Sequence, residues 1–335
     1  MLEIESIATI ASHSALQIMK GAKQEGFRTA LICLKDRINV YSRFRHLIDN
    51  YLIIREYKDI VSKGIQKSLL DLNAIIIPHG SFVEYVGVDN IYRIECPVFG
   101  NRKLLEWEHN QFKKYELLKS AEISVPKVYN DPSEVDRLVI VKLPGAKGGQ
   151  GYFLAKNKNE LIRKADKLKI NLAEALIQEY IIGTPMYFQY FYSPLFNRLE
   201  LLGSDIRYES NIDGLKRIPF HIADPTFTVV GNIPVVLRES LLSQVFDYGE
   251  KFVSITKEKV PPGAIGPYCL EAVCTNHLKI IVFEFSGRIV AGTNLYIMGS
   301  PYSWLYFDEP MSMGRRIARE IKLALENNEL NKVIS

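Results

Sequence analysis

The feature that most constrains this chain is a pair of runs within Pro267–Arg288. Leu270–Cys274 and Lys279–Phe285 are rich in β-branched and aromatic residues, and the polar break Thr275-Asn276-His277 parts them, which predicts a β-hairpin. A turn centred on His277-Leu278 sets Glu271 directly opposite Glu284. Side chains opposed in this way have Cβ atoms roughly 5 Å apart, where like charges repel unless something compensates. By the two-residue period of a strand, Glu284, Ser286 and Arg288 share one face and Ile281, Phe283, Phe285 and Ile289 the other. The second set predicts a core face. The first offers two carboxylates able to share a hard cation, with an arginine fork farther along that suits phosphate. The alternative is a solvated face with a surface Glu–Arg pair, and the apolar flanks, which imply burial, favour the metal reading.

A chain of 335 residues predicts two or three lobes around one or two cores. With 47% hydrophobic and 24% charged residues, it has the composition of a globular protein. A net charge of +4 without a basic tract argues against nucleic acid as a partner. The longest apolar runs, such as Ala74–Pro78 and Lys279–Phe285, are strand-length and too short to span a bilayer. The chain enters a strand almost at once, which predicts no signal or transit peptide and a cytoplasmic location. Cys33, Cys96, Cys269 and Cys274 lack paired metal spacing and read as reduced core residues.

Ile4–Ile10 predicts a buried strand, followed by the turn Ala11-Ser12-His13-Ser14 and a helix from Ala15 to about Lys23. Ala15, Ile18, Met19 and Ala22 form that helix's apolar face. With the next strand, Thr29–Leu34, this is a βαβ opening whose turn lies at the carboxyl end of strand one, where open α/β sheets bind ligands. A helix N-terminus there suits a phosphate monoester, and the turn lacks the glycine fingerprint of dinucleotide binding. Taken alone, His13 is better read as a capping or packing histidine. Ala74–Ile77 predicts a second buried strand ending in Pro78-His79-Gly80-Ser81. If the two strands are parallel, Ser12-His13-Ser14 and His79-Gly80-Ser81 open on one sheet edge and converge on one small anion.

Arg102 to about Ala121 predicts one amphipathic helix with Leu104, Leu105, Phe112, Tyr115 and Leu118 as its core stripe. A smaller unit follows: strand Val139–Lys142, glycine loop Pro144–Gly151, strand Tyr152–Ala155, a Lys-rich helix capped by Asn157, and strand Leu176–Ile182. A glycine loop joining two strands differs from a P-loop and reads as a flap whose N–H groups close over phosphates, with Lys142 and Lys147 supplying charge. Its alternative is a plain mobile hairpin. Gln178-Glu179-Tyr180-Ile181 has the character of a hinge whose backbone pairs with an adenine edge. Gly183 onward predicts an antiparallel region through Met186–Tyr192, Leu199–Arg207 and Phe227–Val230; Gly231-Asn232-Ile233-Pro234 then leads into a helix from about Arg238 to Thr256. A final amphipathic helix, Ser312–Asn327, is expected to cover the sheet.

The order of an α/β lobe, a flap lobe and a carboxylate-bearing β lobe resembles the ATP-grasp superfamily. Glu271 with Glu284-x-Ser286-x-Arg288 resembles its Mg-binding signature, which usually has Asn where Ser286 stands. Further strings are similar to one family along nearly the whole chain: Ser12–Gln17, Pro78–Phe82, Gly100-Asn101-Arg102, Leu143–Phe153, Arg207–Asn211, Gly231–Ser240, Gly266–Glu271 and Arg288–Tyr302. On these the chain resembles the archaeal PurP-type FAICAR synthetases, formate-dependent AICAR ligases. Here AICAR is 5-aminoimidazole-4-carboxamide ribonucleotide and FAICAR its 5-formyl product.

The resemblance implies an α/β and α+β multidomain protein, an ATP-grasp fold with an N-terminal Rossmann-like pre-ATP-grasp domain. Residues 1–100 would carry the AICAR phosphate site, 101–182 a linker helix and small lid, and 183–335 the large subdomain with the metal site. It implies His13, Ser81 and Asn232 as AICAR-binding residues, and Lys142, Lys147, Gly148, Gly149, Gln178, Glu179, Tyr180, Ile181 and Glu209 as the ATP site. Glu271 and Glu284 would hold Mg²⁺ or Mn²⁺, and Arg288 and Lys147 would be catalytic. The expected activity formylates the 5-amino group of AICAR with formate and ATP through formyl phosphate, in purine biosynthesis. A homo-oligomer, trimer or hexamer, is implied as well. Gln150 stands where a basic residue is expected, and Ile218–Thr226 is shorter than expected. The alternative is an ATP-grasp paralogue that binds AICAR and ATP without catalysis or with a different specificity.

Overall fold

In the computed structural model, which describes residues 3–147, 150–218 and 226–335, the chain builds three sheets. The first is parallel, in the order β3-β2-β1-β4, with β1 Ser6–Ile10, β2 Arg28–Leu34, β3 Asn50–Ile54 and β4 Ala74–Ile76. Its strands alternate between two cores. Ile7, Leu31, Cys33 and Ile75 pack on one side with Ile18 and Met19 of helix α1 (Ala15–Gln24), and Ala8, Ile10, Ala30, Ile32 and Ile76 pack on the other. A parallel sheet covered on both faces is what continuous apolar strands demand. Because β1 and β4 are adjacent and parallel, both sequence-predicted turns do open on the same edge.

The stretch read as one helix from Arg102 is two, α2 Arg102–His109 and α3 Gln111–Ser120. Asn110 breaks it. With φ −102° and ψ 118° this residue is extended, and its side chain accepts from the N–H groups of Phe112 and Lys113 as the cap of α3. The break re-aims the second helix: Leu117 and Leu118 are buried, Phe112 is left exposed, and Lys114 turns inward.

The second sheet, in the order β5-β8-β6-β7, joins β5 Val128–Tyr129, β6 Val139–Lys147, β7 Gln150–Ala155 and β8 Leu176–Glu179. Helix α4 (Lys158–Leu168), capped by Asn157 as expected, packs Leu161 into its small core. The third sheet is antiparallel, in the order β11-β10-β9-β12-β13: β9 Thr184–Ser193, β10 Arg198–Glu209, β11 Val229–Pro234, β12 Gly266–Cys274 and β13 Ile280–Ser286. Gly231–Pro234, read above as a lead-in to a helix, is therefore edge strand, and Asn232 pairs with Arg207. Helix α5 (Glu239–Lys259) covers one face of this sheet, packing Val245, Tyr248 and Phe252 against Phe188, Tyr190, Tyr268 and Phe285.

Strands β12 and β13 form the expected hairpin, and Glu271 does face Glu284. The pairing arises differently, however. Near the turn the partners are Cys274–Ile280 and Ala272–Val282, one residue off the expected register, and an irregularity next to Glu271 restores it. A bulge leaves one residue of a strand without an opposite number and switches which side chains face inward. Consequently Ile280, Val282 and Phe285 enter the core, whereas Ile281 and Phe283 do not lie on the fully buried face predicted for them. Phe283 instead supports the polar face, packing beside Tyr187.

The last helix, α6 Met313–Glu326, covers more than the sheet. It lies so close on α1 that a Cβ on Gly21 or Gly314 would overlap backbone of the other helix. It also reaches the third sheet through buried Arg316, which donates to Glu200 (2.8 Å) and Glu320 (2.8 Å). All three side chains are at most 1% exposed. The four cysteines are free and buried. No helix among the described residues is long and apolar enough to cross a membrane.

Candidate active site

The two turns at the edge of the parallel sheet meet as expected. Ser12 Oγ lies 3.2 Å from Ser81 Oγ, and the rings of His13 and His79 stack with centroids 5.5 Å apart and planes 5° from parallel. Gly80 is required here, because a Cβ would overlap the His13 ring. His13 adopts φ 48°, a left-handed conformation that costs a non-glycine residue of order 1 kcal/mol and that clusters at functional sites. His79 is fully buried: its Nε2 lies 2.9 Å from Ile10 O, and its Nδ1 accepts from Ser81 N–H at 3.3 Å. Those partners assign a neutral ring that donates from Nε2 and accepts at Nδ1. Ser14 Oγ donates to Val290 O and lies 2.9 Å from His13 Nδ1.

Both rings are held neutral. Burial first, then the neighbouring His79, Arg288 and Arg207, lower the pKa of His13 to about 2. Burial, only partly opposed by the bond to Ile10 O, lowers His79 to about 4. An unfolded chain takes up protons near 6.5 while the folded His79 does not, so its contribution to stability is complete above that pH and is lost as pH falls toward 4. Between pH 7 and pH 5 the loss from His79 is about 2 kcal/mol. Urea midpoints should fall over this range, and His79→Gln should flatten the slope; an unchanged slope would contradict the buried neutral assignment.

Arg288 lies just past the end of β13, and among the described residues it forms no ion pair with Glu284. Its Nη2 pairs with Glu108 Oε1 at 2.7 Å, its charge is felt at both histidines, and its buried Nε lacks a hydrogen-bond partner among the described residues. Glu108 also accepts from Gly287 N–H, fixing the backbone of the arginine loop to α2.

The carboxylates of the hairpin are not left to repel each other. Glu271, 5% exposed, receives two parallel bonds from Arg207 (both 3.1 Å) and one from Ser286 Oγ (2.9 Å). Arg207 in turn lies over the Tyr187 ring at 3.8 Å. Burial is the largest influence and works against its charge, but Glu271, Tyr187, Cys269 and Asp205 together outweigh it, so the guanidinium pKa is raised. Glu284 is gripped by Lys114 Nζ and lies 3.7 Å from Lys142 Nζ. Burial alone would raise the Glu284 carboxyl, but the two lysines bring it down to about 2. Lys142, 4% exposed, has its pKa lowered by burial and sits 5.4 Å above the Phe283 ring that the bulge places there.

The hinge residues also gather. Gln178 is buried with Nε2 unpartnered among the described residues, and Glu179 is held by Arg137 (3.0 Å) and Lys127 N–H (3.3 Å). The N–H groups of Glu179 and Tyr180 donate to Lys127 O and Leu138 O. Tyr180 lies edge-on to Phe227, and the charge of Glu209, whose pKa burial raises, is felt at Tyr180. Asn232 donates from Nδ2 to Asp205 (2.8 Å), which abuts Gly292; two residues on, Asn294 reaches His13 O. The segment after Arg288 thus links the histidine turn to Asn232. Gly148 and Gly149 lie outside the described residues, as does the Lys147 side chain at the end of β6, and so does nearly all of the short segment after Ile218.

Sequence reasoning missed Lys114, Glu108 and Asp205, and gave Arg207 no role. Asn110, a strong capping residue inside a helical pattern, was the signal that could have found Lys114.

A parallel α/β sheet, a small antiparallel sheet with a glycine hairpin, and a large antiparallel sheet carrying paired carboxylates and buried lysines define an ATP-grasp protein. The same fold is seen in N5-carboxyaminoimidazole synthetase from Staphylococcus aureus complexed with ADP, with a TM-score of 0.64 at 14% identity over 88% of this chain and 73% of that one. Two family models match, a protein of unknown function (DUF1246) over residues 7–129 and a domain of unknown function (DUF1297) over residues 154–335. The IMP biosynthesis protein PurP from Thermococcus kodakaraensis superimposes with a TM-score of 0.79 at 35% identity, covering 98% of this chain and all of that one. A curated relative from Ignicoccus hospitalis, 5-formaminoimidazole-4-carboxamide-1-(beta)-D-ribofuranosyl 5'-monophosphate synthetase, is 56% identical over 98% of this chain and 95% of its own length. The chain belongs to this PurP family of FAICAR synthetases.

Proposed function

We propose that the protein is a C–N ligase that formylates the 5-amino group of AICAR, consuming formate and ATP and releasing ADP and phosphate, in purine biosynthesis. The observation that carries this reading is family membership at 56% identity over nearly the whole chain. The site supports it with one polar turn pair for a nucleotide phosphate and one carboxylate–lysine cluster for a polyphosphate.

Formate does not acylate an amine at neutral pH, because its oxygen is a poor leaving group. Attack of a formate oxygen on the γ-phosphorus of ATP breaks the bond to ADP and gives formyl phosphate. The 5-amine then attacks the formyl carbon, phosphate leaves with the C–O bond electrons, and the amine loses a proton. Such chemistry needs positioning and charge neutralisation more than a covalent residue. In this reading Lys142 and Lys114 hold the triphosphate, with Lys147, Gly148 and Gly149 closing over it. Gln178, Tyr180, Glu209 and the Ile181 N–H form the nucleoside side. Arg288 offsets charge near the transferring group. His13 serves AICAR by hydrogen bonding alongside Ser81 and Asn232.

Glu271 and Glu284 fit a hard divalent cation, Mg²⁺ or Mn²⁺, in donor chemistry: two adjacent carboxylates offer oxygens, and phosphate oxygens can complete the set. Among the described residues no third acid, histidine or cysteine joins them. Such a cation, when bound, would neutralise charge on the β- and γ-phosphates. The reading carries with it a cytoplasmic enzyme assembled as a homo-oligomer, a trimer or hexamer.

The test is ADP release measured with AICAR, with and without formate. ADP formation that requires both is expected. Tight AICAR binding without formate-dependent ADP would overturn the reading in favour of a nucleotide sensor, and turnover only with a different acid would overturn the formate assignment.

A further inference from the structure

Asp205 is a buried carboxylate, 1% exposed, in the middle of β10. Burial raises its pKa. A buried charge is costly unless its hydrogen bonds are satisfied. Here the donors are two amides: Gln189 Nε2 reaches one oxygen at 2.6 Å and Asn232 Nδ2 the other at 2.8 Å. The backbone of Gly292 closes another side, where a Cβ would overlap the carboxylate.

An ionised carboxylate only accepts. Both amides must therefore turn their NH₂ groups toward Asp205 and their oxygens away. The Gln189 oxygen faces Gly203, where an added Cβ would come within 2.7 Å of it. Asn232 differs. It is half-buried on the edge strand β11, opposite Arg207, and its Oδ1 receives no hydrogen bond among the described residues. That leaves an oriented, unused acceptor on the edge strand, at the position opposite Arg207.

Resting on the AICAR reading above, we propose that Asp205 is a positioning residue that holds the Asn232 oxygen toward the imidazole nucleotide, where it accepts from the 4-carboxamide NH₂. With the 5-amine turned to the acyl donor in this reading, the 4-carboxamide carries the remaining N–H donors of the base, the kind of group an amide oxygen accepts from. Asn232 thereby selects a carboxamide over a carboxylate at that ring position. A carboxylate there would set acceptor against acceptor, and buried polar groups left unpaired discriminate strongly.

Two measurements test this on the full-length protein. In the wild type, the 4-carboxylate analogue of the nucleotide should compete against AICAR at least about a hundredfold more weakly than AICAR binds. In Asp205→Asn, whose amide lets Asn232 turn over, the KM for AICAR should rise at least about tenfold with kcat within about threefold and the KM for ATP unchanged. The discrimination against the carboxylate should shrink at the same time. Equal binding of carboxylate and carboxamide by the wild type overturns the proposal whether or not the variant folds. A folded Asp205→Asn with unchanged AICAR KM also overturns it. Either result can be obtained in an enzyme that makes FAICAR, so failure here is distinct from failure of the proposed function.

Discussion

Replacing Glu284 with glutamine is expected to lower formate-dependent ADP release by at least about a thousandfold. The carboxylate is the point at which Lys114, Lys142 and Glu271 meet. Glutamine keeps the shape and removes the charge, so two nearly buried ammonium groups lose their partner and the proposed cation site loses one of its two carboxylates. Breaking a buried pair in this way also costs stability, about 3 kcal/mol. That contribution has a pH signature: with the carboxyl held down to about 2, it is complete above about pH 4.5 and disappears as pH falls toward 2. Activity assays against metal concentration, together with urea unfolding, separate the two effects. Full metal-dependent turnover in a folded Glu284→Gln protein would remove Glu284 from the catalytic site. Glu284→Asp, which keeps the charge, should retain part of the rate.

The largest stability effect is expected at Arg316, which is not among the residues proposed for the chemistry. Arg316→Met should cost about 3–5 kcal/mol, because methionine fills most of the volume but leaves Glu200 and Glu320 without the cation between them. Among the described residues Glu320 would keep only its bond from Ser193 Oγ (2.6 Å), while Glu200 would retain Arg198. The Arg316 guanidinium also lies over Phe191 at 4.1 Å, a contact that methionine partly preserves. Replacing all three members of the triad with apolar residues should recover most of the loss, since a well-packed apolar cluster has no desolvation cost to offset. Urea midpoints of the single and triple variants decide the matter; a single variant as stable as the wild type would contradict it.

Much of the site was legible because its residues lie on short, strongly patterned stretches. The turns around His13 and His79 each follow a continuous apolar strand, and parallel α/β connectivity alone brought them together. The hairpin put Glu271 opposite Glu284 for a reason that was only partly right: the pairing near the turn is shifted by one, and the irregularity beside Glu271 corrects it. Alternation cannot report a bulge, which is why Phe283 and Ile281 were placed on the core side. Lys114 was hidden by a local competition, in which the side chain of Asn110 captures two N–H groups and ends one helix to begin another. Asp205, Gln189 and Glu108 were hidden for a different reason. Their partners come from other strands, loops or helices, and no local period encodes a contact made across the fold.

The buried ion pairs of the cleft also bear on how a nucleotide would be drawn in. Surface lysine patches attract polyphosphates from a distance, and salt weakens that attraction steeply. In this protein Lys114 and Lys142 share Glu284, and Arg207 is paired with Glu271, so two of these three positive charges are already offset. From outside, the cluster presents one net positive charge and not three. An arriving triphosphate therefore exchanges partners with the protein's carboxylates and gains little long-range pull. ATP affinity should then depend only weakly on ionic strength, with recognition decided at contact by which anion the lysines prefer to hold.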